Sequence, residues 1–122
     1  MALILFVDDD TLTLQMMRQA AKIVGHQAIT TSECVDAVQL SVENSPDLIF
    51  LDYNLKGTNG YEVLQELRSR EETVDIPIIF LTAEAEQSMP ADVIKSGAQA
   101  YLTKPLLLST LLEVIREYTD TP

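Results

Sequence analysis

The stretch that decides the fold is Leu48-Ile49-Phe50-Leu51-Asp52, an apolar run that ends in a carboxylate. The polar, glycine-containing segment 53–60 follows it. An uninterrupted short apolar run bounded by turn residues is typical of a strand buried on both faces. A charged side chain at the tip of such a strand is costly unless another group compensates its charge. Asp52 therefore marks both a central strand and a candidate site.

Three further apolar runs end in polar groups. The run 3–7 leads into Asp8, Asp9 and Asp10, the run 77–82 ends in Thr82, and the run 100–103 leads into Lys104. Another strand is predicted at 27–31. Helical patterns lie between the strands, at 11–24, 33–43, 61–69, a short segment from Pro90 to Gly97, and 106–118. This alternation predicts a doubly wound, parallel α/β sheet with helices on both faces, whose strands all end at one edge.

The helix patterns also predict caps and inward faces. Asp10 and Ser32 are the expected N-caps of the first two helices, and Gly25 is the expected stop of the first. The residues expected to face the core are Leu12, Met16, Ala20, Ile23 and Val24, then Val35, Val38 and Val42, then Val63, Leu64 and Leu67.

Composition narrows the class of protein. A chain of 122 residues, 47% of them hydrophobic, suits one domain, and we expect a single domain over 1–122 without an output domain. The net charge of −11 disfavours nucleic acid and anionic membrane surfaces as direct partners. No apolar run is long enough to span a membrane, no signal peptide is visible, and Cys34 is the single cysteine. These features predict a cytoplasmic protein.

The polar groups at the strand ends have a shared chemistry. If Asp8, Asp9 and Asp52 converge, their repulsion is relieved by one Mg²⁺ and by the ammonium of Lys104, which together bring the formal charge to zero. Such a site accepts phosphoryl oxygens, and a carboxylate can itself be the nucleophile. Asp52 is the candidate nucleophile, Asp8 and Asp9 are candidate metal ligands, and Thr82 with Lys104 would contact the phosphoryl group.

These residues carry a family resemblance. Together with Gly60, Thr82-Ala83 and the segment 101–105, they resemble the receiver domain of two-component response regulators. The resemblance implies the flavodoxin-like strand order 2-1-3-4-5 and Mg²⁺- or Mn²⁺-dependent phosphorylation of Asp52 by a histidine kinase or a histidine phosphotransfer protein. It further implies the Asn54 backbone carbonyl as a metal ligand, Thr82 and Tyr101 as a switch pair, and a cis Lys104–Pro105 bond.

The resemblance also implies how the signal is read and ended. The face formed by the fourth helix, fifth strand and fifth helix would bind an output target, as a monomer or a phosphorylation-dependent dimer. The last helix opens with three leucines, 106–108, which predicts either a wide core face or an exposed Leu107 or Leu108 on this surface. Asn54 and Glu84 would flank the water that attacks the phosphoryl group, which predicts a short-lived phosphoaspartate.

Some positions depart from the family or allow another interpretation. Lys56 stands where the family often has proline, and Asp10 is expected to cap a helix rather than bind metal. His26, after Gly25, is expected at the surface. The alternative function is a phosphatase of the haloacid dehalogenase type with Asp8 as nucleophile, although that interpretation gives Asp52 no role. A degenerate receiver used as a scaffold is the third interpretation, but no site residue is missing.

Overall fold

The computed structural model of the protein describes residues 1–55, 58–82 and 97–119. In chain order its strands are β1 (Leu3–Val7), β2 (Gln27–Thr31), β3 (Leu48–Asp52), β4 (Asn54–Leu55), β5 (Thr58–Asn59), β6 (Ile78–Thr82) and β7 (Ala100–Thr103). Five of them form a parallel sheet in the order β2-β1-β3-β6-β7, which confirms the predicted order. The other two, β4 and β5, form a short antiparallel pair where a loop was predicted.

Four helices lie in the described ranges: α1 (Thr11–Ile23), α2 (Cys34–Asn44), α3 (Gly60–Arg68) and α4 (Leu108–Thr119). The predicted boundaries are close to these, although α4 begins at Leu108 rather than Leu106. The short helix predicted from Pro90 falls outside the described residues. Of the helices described, none has both the length and the apolar character that crossing a membrane requires.

Each face of the sheet carries its own hydrophobic core. Successive residues of a strand point to opposite faces, so β1 and β3 contribute alternate side chains to the two cores. Phe6 stacks on Phe50, with ring centroids 5.3 Å apart, in the core under α1 and α4. The core under α2 and α3 contains Leu5, Val7, Ala37, Ile49, Leu51, Val63, Leu64, Leu67, Ile78 and Phe80. Helices therefore cover both faces, as predicted, and the inward face of α3 is confirmed.

The predicted inward face of α1 was partly correct, since Ala20 is buried and Met16 and Val24 pack against the core. The buried residues are Leu14, Met17, Ala20 and Ala21, whereas Leu12 is 73% and Ile23 52% exposed. Thirteen helical residues span about 20 Å, but a strand of five residues spans about 16 Å. The helix is therefore longer than the strands it covers, and the small side chains of Ala20 and Ala21 allow its last turn to approach the sheet closely.

Helix α2 shows the same preference for small residues. Ala37 and Ser41 are fully buried and Val38 packs against the core, whereas Val35 is 76% exposed, so the predicted valine face was only partly correct. The buried Ser41 hydroxyl donates to the Ala37 carbonyl at 2.8 Å, which removes the cost of an unpaired polar group. The predicted cap at Ser32 was also wrong. Glu33 is the N-cap residue, without a side-chain bond, and its N–H donates to Thr31 Oγ1 at 3.1 Å.

Arg68 organises the amino edge of the sheet and was not predicted. Its guanidinium donates to the carbonyls of Thr73 (3.3 Å), Val74 (3.0 Å), Ile76 (2.8 Å) and Gly97 (2.7 Å). Burial lowers the pKa of Arg68 below its ordinary value, against the opposing charge of Asp75. Gln99 Oε1 accepts from Arg68 Nη2 at 3.2 Å and from the Ile78 N–H at 2.7 Å. These bonds join α3 to the starts of β6 and β7.

Candidate functional site

The carboxyl edge of the sheet brings the predicted polar residues together. Asp52 and Thr82 are the last residues of β3 and β6, while Asp8 and Lys104 directly follow β1 and β7. Backbone bonds extend the ladder past the strands, since Lys104 N–H donates to the Thr82 carbonyl at 2.7 Å and Tyr53 N–H to the Leu81 carbonyl at 2.8 Å. The side chains at these positions are therefore held by the sheet itself.

Three carboxylates meet at this edge. Asp8, Asp9 and Asp52 each place one oxygen within 4.8 Å of the others. Asp8 is 0% and Asp52 3% exposed, whereas Asp9 is exposed. The cluster is thus anchored in the protein interior by two acids and open to solvent at the third.

Lys104 joins the two buried acids. Its Nζ lies 2.9 Å from Asp8 Oδ2 and 2.9 Å from Asp52 Oδ2. Burial lowers the pKa of Lys104, but its hydrogen bonds and attraction to Asp8 and Asp52 outweigh that effect, and the pKa is raised. Lys104 is therefore a cation at neutral pH. Three carboxylates and one ammonium leave the site with a formal charge of −2.

The Thr82 hydroxyl lies buried beside this cluster without a hydrogen bond to any residue that the structure describes. Leaving a buried hydroxyl unpaired costs about 1–3 kcal/mol, so such a group calls for an explanation. It can donate to an incoming oxygen. Tyr101, the other residue of the predicted switch pair, lies on β7 opposite Phe80 in register and is 40% exposed.

Asp10 is a helix cap, as predicted. Its Oδ1 accepts from Leu12 N–H at 3.3 Å and its Oδ2 from Thr13 Oγ1 at 2.6 Å. The Thr13 bond, against slight desolvation, lowers the pKa of Asp10 below its ordinary value, with further help from Leu12 and Lys104. Asp10 N–H donates to Asp8 Oδ1 at 2.9 Å, so the same turn fixes the orientation of Asp8.

Gly60 allows the loop after β3 to close against Asp52. A Cβ atom at Gly60 would lie 2.6 Å from the Asp52 carbonyl oxygen and 3.0 Å from Tyr53 Cα. The Gly60 N–H donates to the Tyr53 carbonyl at 2.6 Å. Tyr53, a positioning residue that the sequence did not single out, packs edge-on against Phe80 with centroids 5.7 Å apart. In the sequence, its position directly after Asp52 was the feature that could have identified it.

Other predicted site residues have mixed outcomes. The cis Lys104–Pro105 bond is present, as predicted. The backbone of Asn54 begins β4, whereas Glu84, Lys56 and Pro90 lie outside the described residues. His26 does not lie free at the surface as predicted; it is half-buried and makes two side-chain hydrogen bonds.

The donor set fits a hard divalent cation. Carboxylate oxygens are the ligands that Mg²⁺ prefers in proteins, and Mg²⁺ commonly retains several waters. The grouping of three carboxylate oxygens within 4.8 Å and the uncompensated charge of −2 both fit such a cation.

Comparison with known proteins gives a consistent result. Residues 4–116 match the family model described as response regulator receiver domain. The phosphate regulon transcriptional regulatory protein PhoB of Pseudomonas aeruginosa is 38% identical over 117 residues, which cover 93% of this chain and 51% of PhoB. The chain thus spans about half the length of that relative. The polar-differentiation response regulator DivK of Brucella ovis is 31% identical over 115 residues, which cover 94% of each chain.

A solved structure is also similar over the whole chain. The receiver domain of the sensor histidine kinase PA1611 from Pseudomonas aeruginosa PAO1 superposes with a TM-score of 0.86 at 25% identity, covering 98% of each chain. That crystal structure contains a magnesium ion coordinated in the active site cleft.

Proposed function

Because this chain belongs to the response regulator receiver domain family, we propose that it is a signalling domain switched by phosphorylation of Asp52. The observation that carries this proposal is the bridge of Lys104 Nζ to Asp8 and Asp52, at 2.9 Å each, beside a Thr82 hydroxyl that no described residue bonds. These groups provide a nucleophile, a cation and a hydrogen-bond donor at one point.

The proposed reaction is a phosphoryl transfer. A carboxylate oxygen of Asp52 attacks phosphorus, a P–O bond forms, and the bond from phosphorus to the donor breaks. With a phosphohistidine donor, the leaving imidazole nitrogen takes a proton. Lys104 and Thr82 would then contact phosphoryl oxygens. Asp8, Asp9, Asp52 and the Asn54 carbonyl would hold Mg²⁺, which offsets charge on the transferring group when bound.

The geometry disfavours the phosphatase interpretation. As its nucleophile, Asp8 would have to release an oxygen from one of two contacts. Its Oδ1 accepts from Asp10 N–H at 2.9 Å, and its Oδ2 is paired with Lys104 at 2.9 Å. Asp52, to which that interpretation gave no role, shares the same lysine.

We propose a histidine kinase or histidine phosphotransfer protein as donor and a protein target as the reader of the signal. The proposed target surface includes β7 and the start of α4. An exposed groove there is lined by Tyr101, Leu106, Leu107 and Thr110 among others, and Leu107 is 64% exposed. Movement of Thr82 toward a phosphoryl group would leave space that Tyr101 can fill.

The proposed phosphorylated state is short-lived. Asn54 and Glu84 follow Asp52 and Thr82 at the same spacing in the sequence, and an amide and a carboxylate can both orient an attacking water.

The test of the proposed function is intact-mass measurement after incubation with acetyl phosphate and Mg²⁺. One added phosphoryl group is expected on the parent protein and none on Asp52→Asn, which retains the shape of the side chain. A Thr103→Ala variant, altered at an exposed strand position beside the site, is the control and should be phosphorylated normally. Full phosphorylation of Asp52→Asn, or none of the parent, would show the assignment to be wrong.

A further inference from the structure

His26 connects three separate parts of the chain at the amino edge of the sheet. Its Nδ1 accepts from the backbone N–H of Ala2 at 3.0 Å, just before β1. Its Nε2 lies 3.1 Å from Thr119 Oγ1, at the last residue of α4. The His26 backbone N–H donates to the Ala21 carbonyl at 2.8 Å, which holds the His26 backbone against the end of α1.

The hydrogen bonds define the protonation state of the ring. A backbone N–H can only donate, so Nδ1 must present a lone pair to Ala2. The neutral ring then carries its hydrogen on Nε2 and donates it to Thr119 Oγ1. That hydroxyl donates onward to the Ile115 carbonyl at 2.6 Å. The chain of donors and acceptors is complete only while the imidazole is neutral.

We propose that His26 is a pH-dependent latch that fastens the start of β1 to the last turn of α4. Protonation of Nδ1 would place two donors face to face, so the Ala2 bond must break. Imidazole is the side chain whose charge ordinarily changes between about pH 5 and 8. The latch is therefore closed while the ring is neutral and opens when the ring is protonated.

The other titratable groups around the ring make different contributions. Met1, Asp47 and Tyr118 line the same cavity, of about 330 Å³, whereas the exposed Lys22 in the last turn of α1 does not line it. Asp47 Oδ2 accepts from Leu3 N–H at 2.9 Å and would attract an imidazolium. Burial first, and then Glu117, raises the pKa of Tyr118, so its phenol remains neutral over this range.

The opened latch would loosen the junction between β1 and α4. Two bonds still hold this region: the Gln27 N–H donates to the Ala2 carbonyl at 2.9 Å and the Asp47 N–H to the Leu3 carbonyl at 2.7 Å. The expected change is therefore local. Any effect on partner binding through α4 would rest on the proposed function, but the latch itself does not.

The test is an NMR pH titration of the protein carrying a short, histidine-free extension before Met1. The extension keeps Ala2 an amide and removes the Met1 ammonium from the cavity. The chain contains one histidine, so the ring C–H resonances report on this group alone. The pH is lowered from about 8 to 5. The chemical shift of the Ala2 amide proton is expected to move as its hydrogen bond breaks, and its midpoint should equal that of the ring C–H resonances.

Three variants make the result decisive. His26→Gln retains a donor and an acceptor without a charge change, so the Ala2 shift should become independent of pH. Thr119→Val should disturb the ring tautomer, while the Ala2 amide shift should still change with pH. In Asp47→Asn, the midpoint of the Ala2 amide shift should still equal the midpoint of the ring resonances. An Ala2 amide that ignores the ring titration, or an equal response in His26→Gln, would overturn the proposal.

Discussion

Replacing Lys104 with methionine tests the electrostatic account of the site most directly. The substitution retains an unbranched side chain but removes the ammonium that lies 2.9 Å from both Asp8 Oδ2 and Asp52 Oδ2. Both acids are almost fully buried, with side chains 0% and 5% exposed. The variant therefore leaves two interior carboxylates facing each other without their cation.

The expected loss of stability follows from this geometry. Removing one partner of a buried ion pair typically costs about 3–5 kcal/mol. The Lys104 side chain is 27% exposed, and solvent reaches the cluster at Asp9, so screening reduces the effect. We expect Lys104→Met to lower the free energy of unfolding by about 2–3 kcal/mol without divalent cation. Saturating Mg²⁺ should remove much of the difference.

The pH dependence has a definite sign. The folded-state pKa of Lys104 is raised, so its stabilising contribution is fully present below the pKa of an unfolded lysine, about 10.4. It is lost as the pH rises through the higher folded-state value. The difference between parent and Lys104→Met should thus be constant between about pH 7 and 9.

The assay is urea unfolding followed by circular dichroism, in chelator and in Mg²⁺. Lys22→Met, on the exposed side of α1, is the control for loss of a lysine and should shift the midpoint little. Asp52→Asn supplies the decisive comparison, since it should stabilise the Lys104→Met background by relieving repulsion. A Lys104→Met midpoint equal to that of the parent in chelator, or no gain from Asp52→Asn in that background, would refute the reasoning.

Three further outcomes are expected. Gly60→Ala should impair both stability and phosphorylation, because its Cβ would approach the Asp52 carbonyl to 2.6 Å. A urea unfolding midpoint and a rate of phosphorylation by acetyl phosphate that both equal those of the parent would contradict this. Arg68→Met should lower the free energy of unfolding, measured in urea, by at least about 2 kcal/mol, since it leaves several backbone carbonyls without this donor. Arg70→Met is the matched control, because it removes an exposed ion pair with Glu66 worth about 0.3–0.5 kcal/mol. The double variant Leu107→Ser, Leu108→Ser should fold normally but lose phosphorylation-dependent dimerisation or target binding, measured by light scattering and pull-down; parent-like behaviour in both would remove that surface from the proposed function.

The strands were predictable from sequence because burial on both faces leaves an unmistakable apolar run. The residues 48–51 are all fully buried in β3. The strand ends then located the site, since parallel strands with right-handed connections all end at one edge. Edge strand β7 alternates half-buried and exposed residues, yet its position before Lys104 was sufficient to identify it.

The helix faces were less predictable because hydrophobicity alone favours large residues. In α1 and α2 the contacts with the sheet are made partly by Ala20, Ala21, Ala37 and Ser41. Their small size permits a close approach that a count of apolar residues undervalues. Long-range polar contacts were also invisible, since nothing local in the sequence connects Arg68 to Gly97 or His26 to Thr119.

The charged side chains at the two edges of the sheet differ in how fully their hydrogen bonds and charges are compensated within the fold. At the amino edge, the Arg68 cation is surrounded by backbone carbonyls and the Gln99 amide oxygen, so its hydrogen bonds are satisfied within the fold. At the carboxyl edge, among the residues in the described ranges, three carboxylates share the Lys104 ammonium and the Thr82 hydroxyl has no hydrogen-bond partner. The first arrangement holds strands and helices in place. Lys104 compensates only part of the charge of the second, so a cation and an oxyanion that bind there can add stability, because ligands that prefer the folded state raise its stability by mass action. Mg²⁺ should therefore stabilise the parent protein, and it should do so less in Asp52→Asn, where one of the repelling carboxylates is absent.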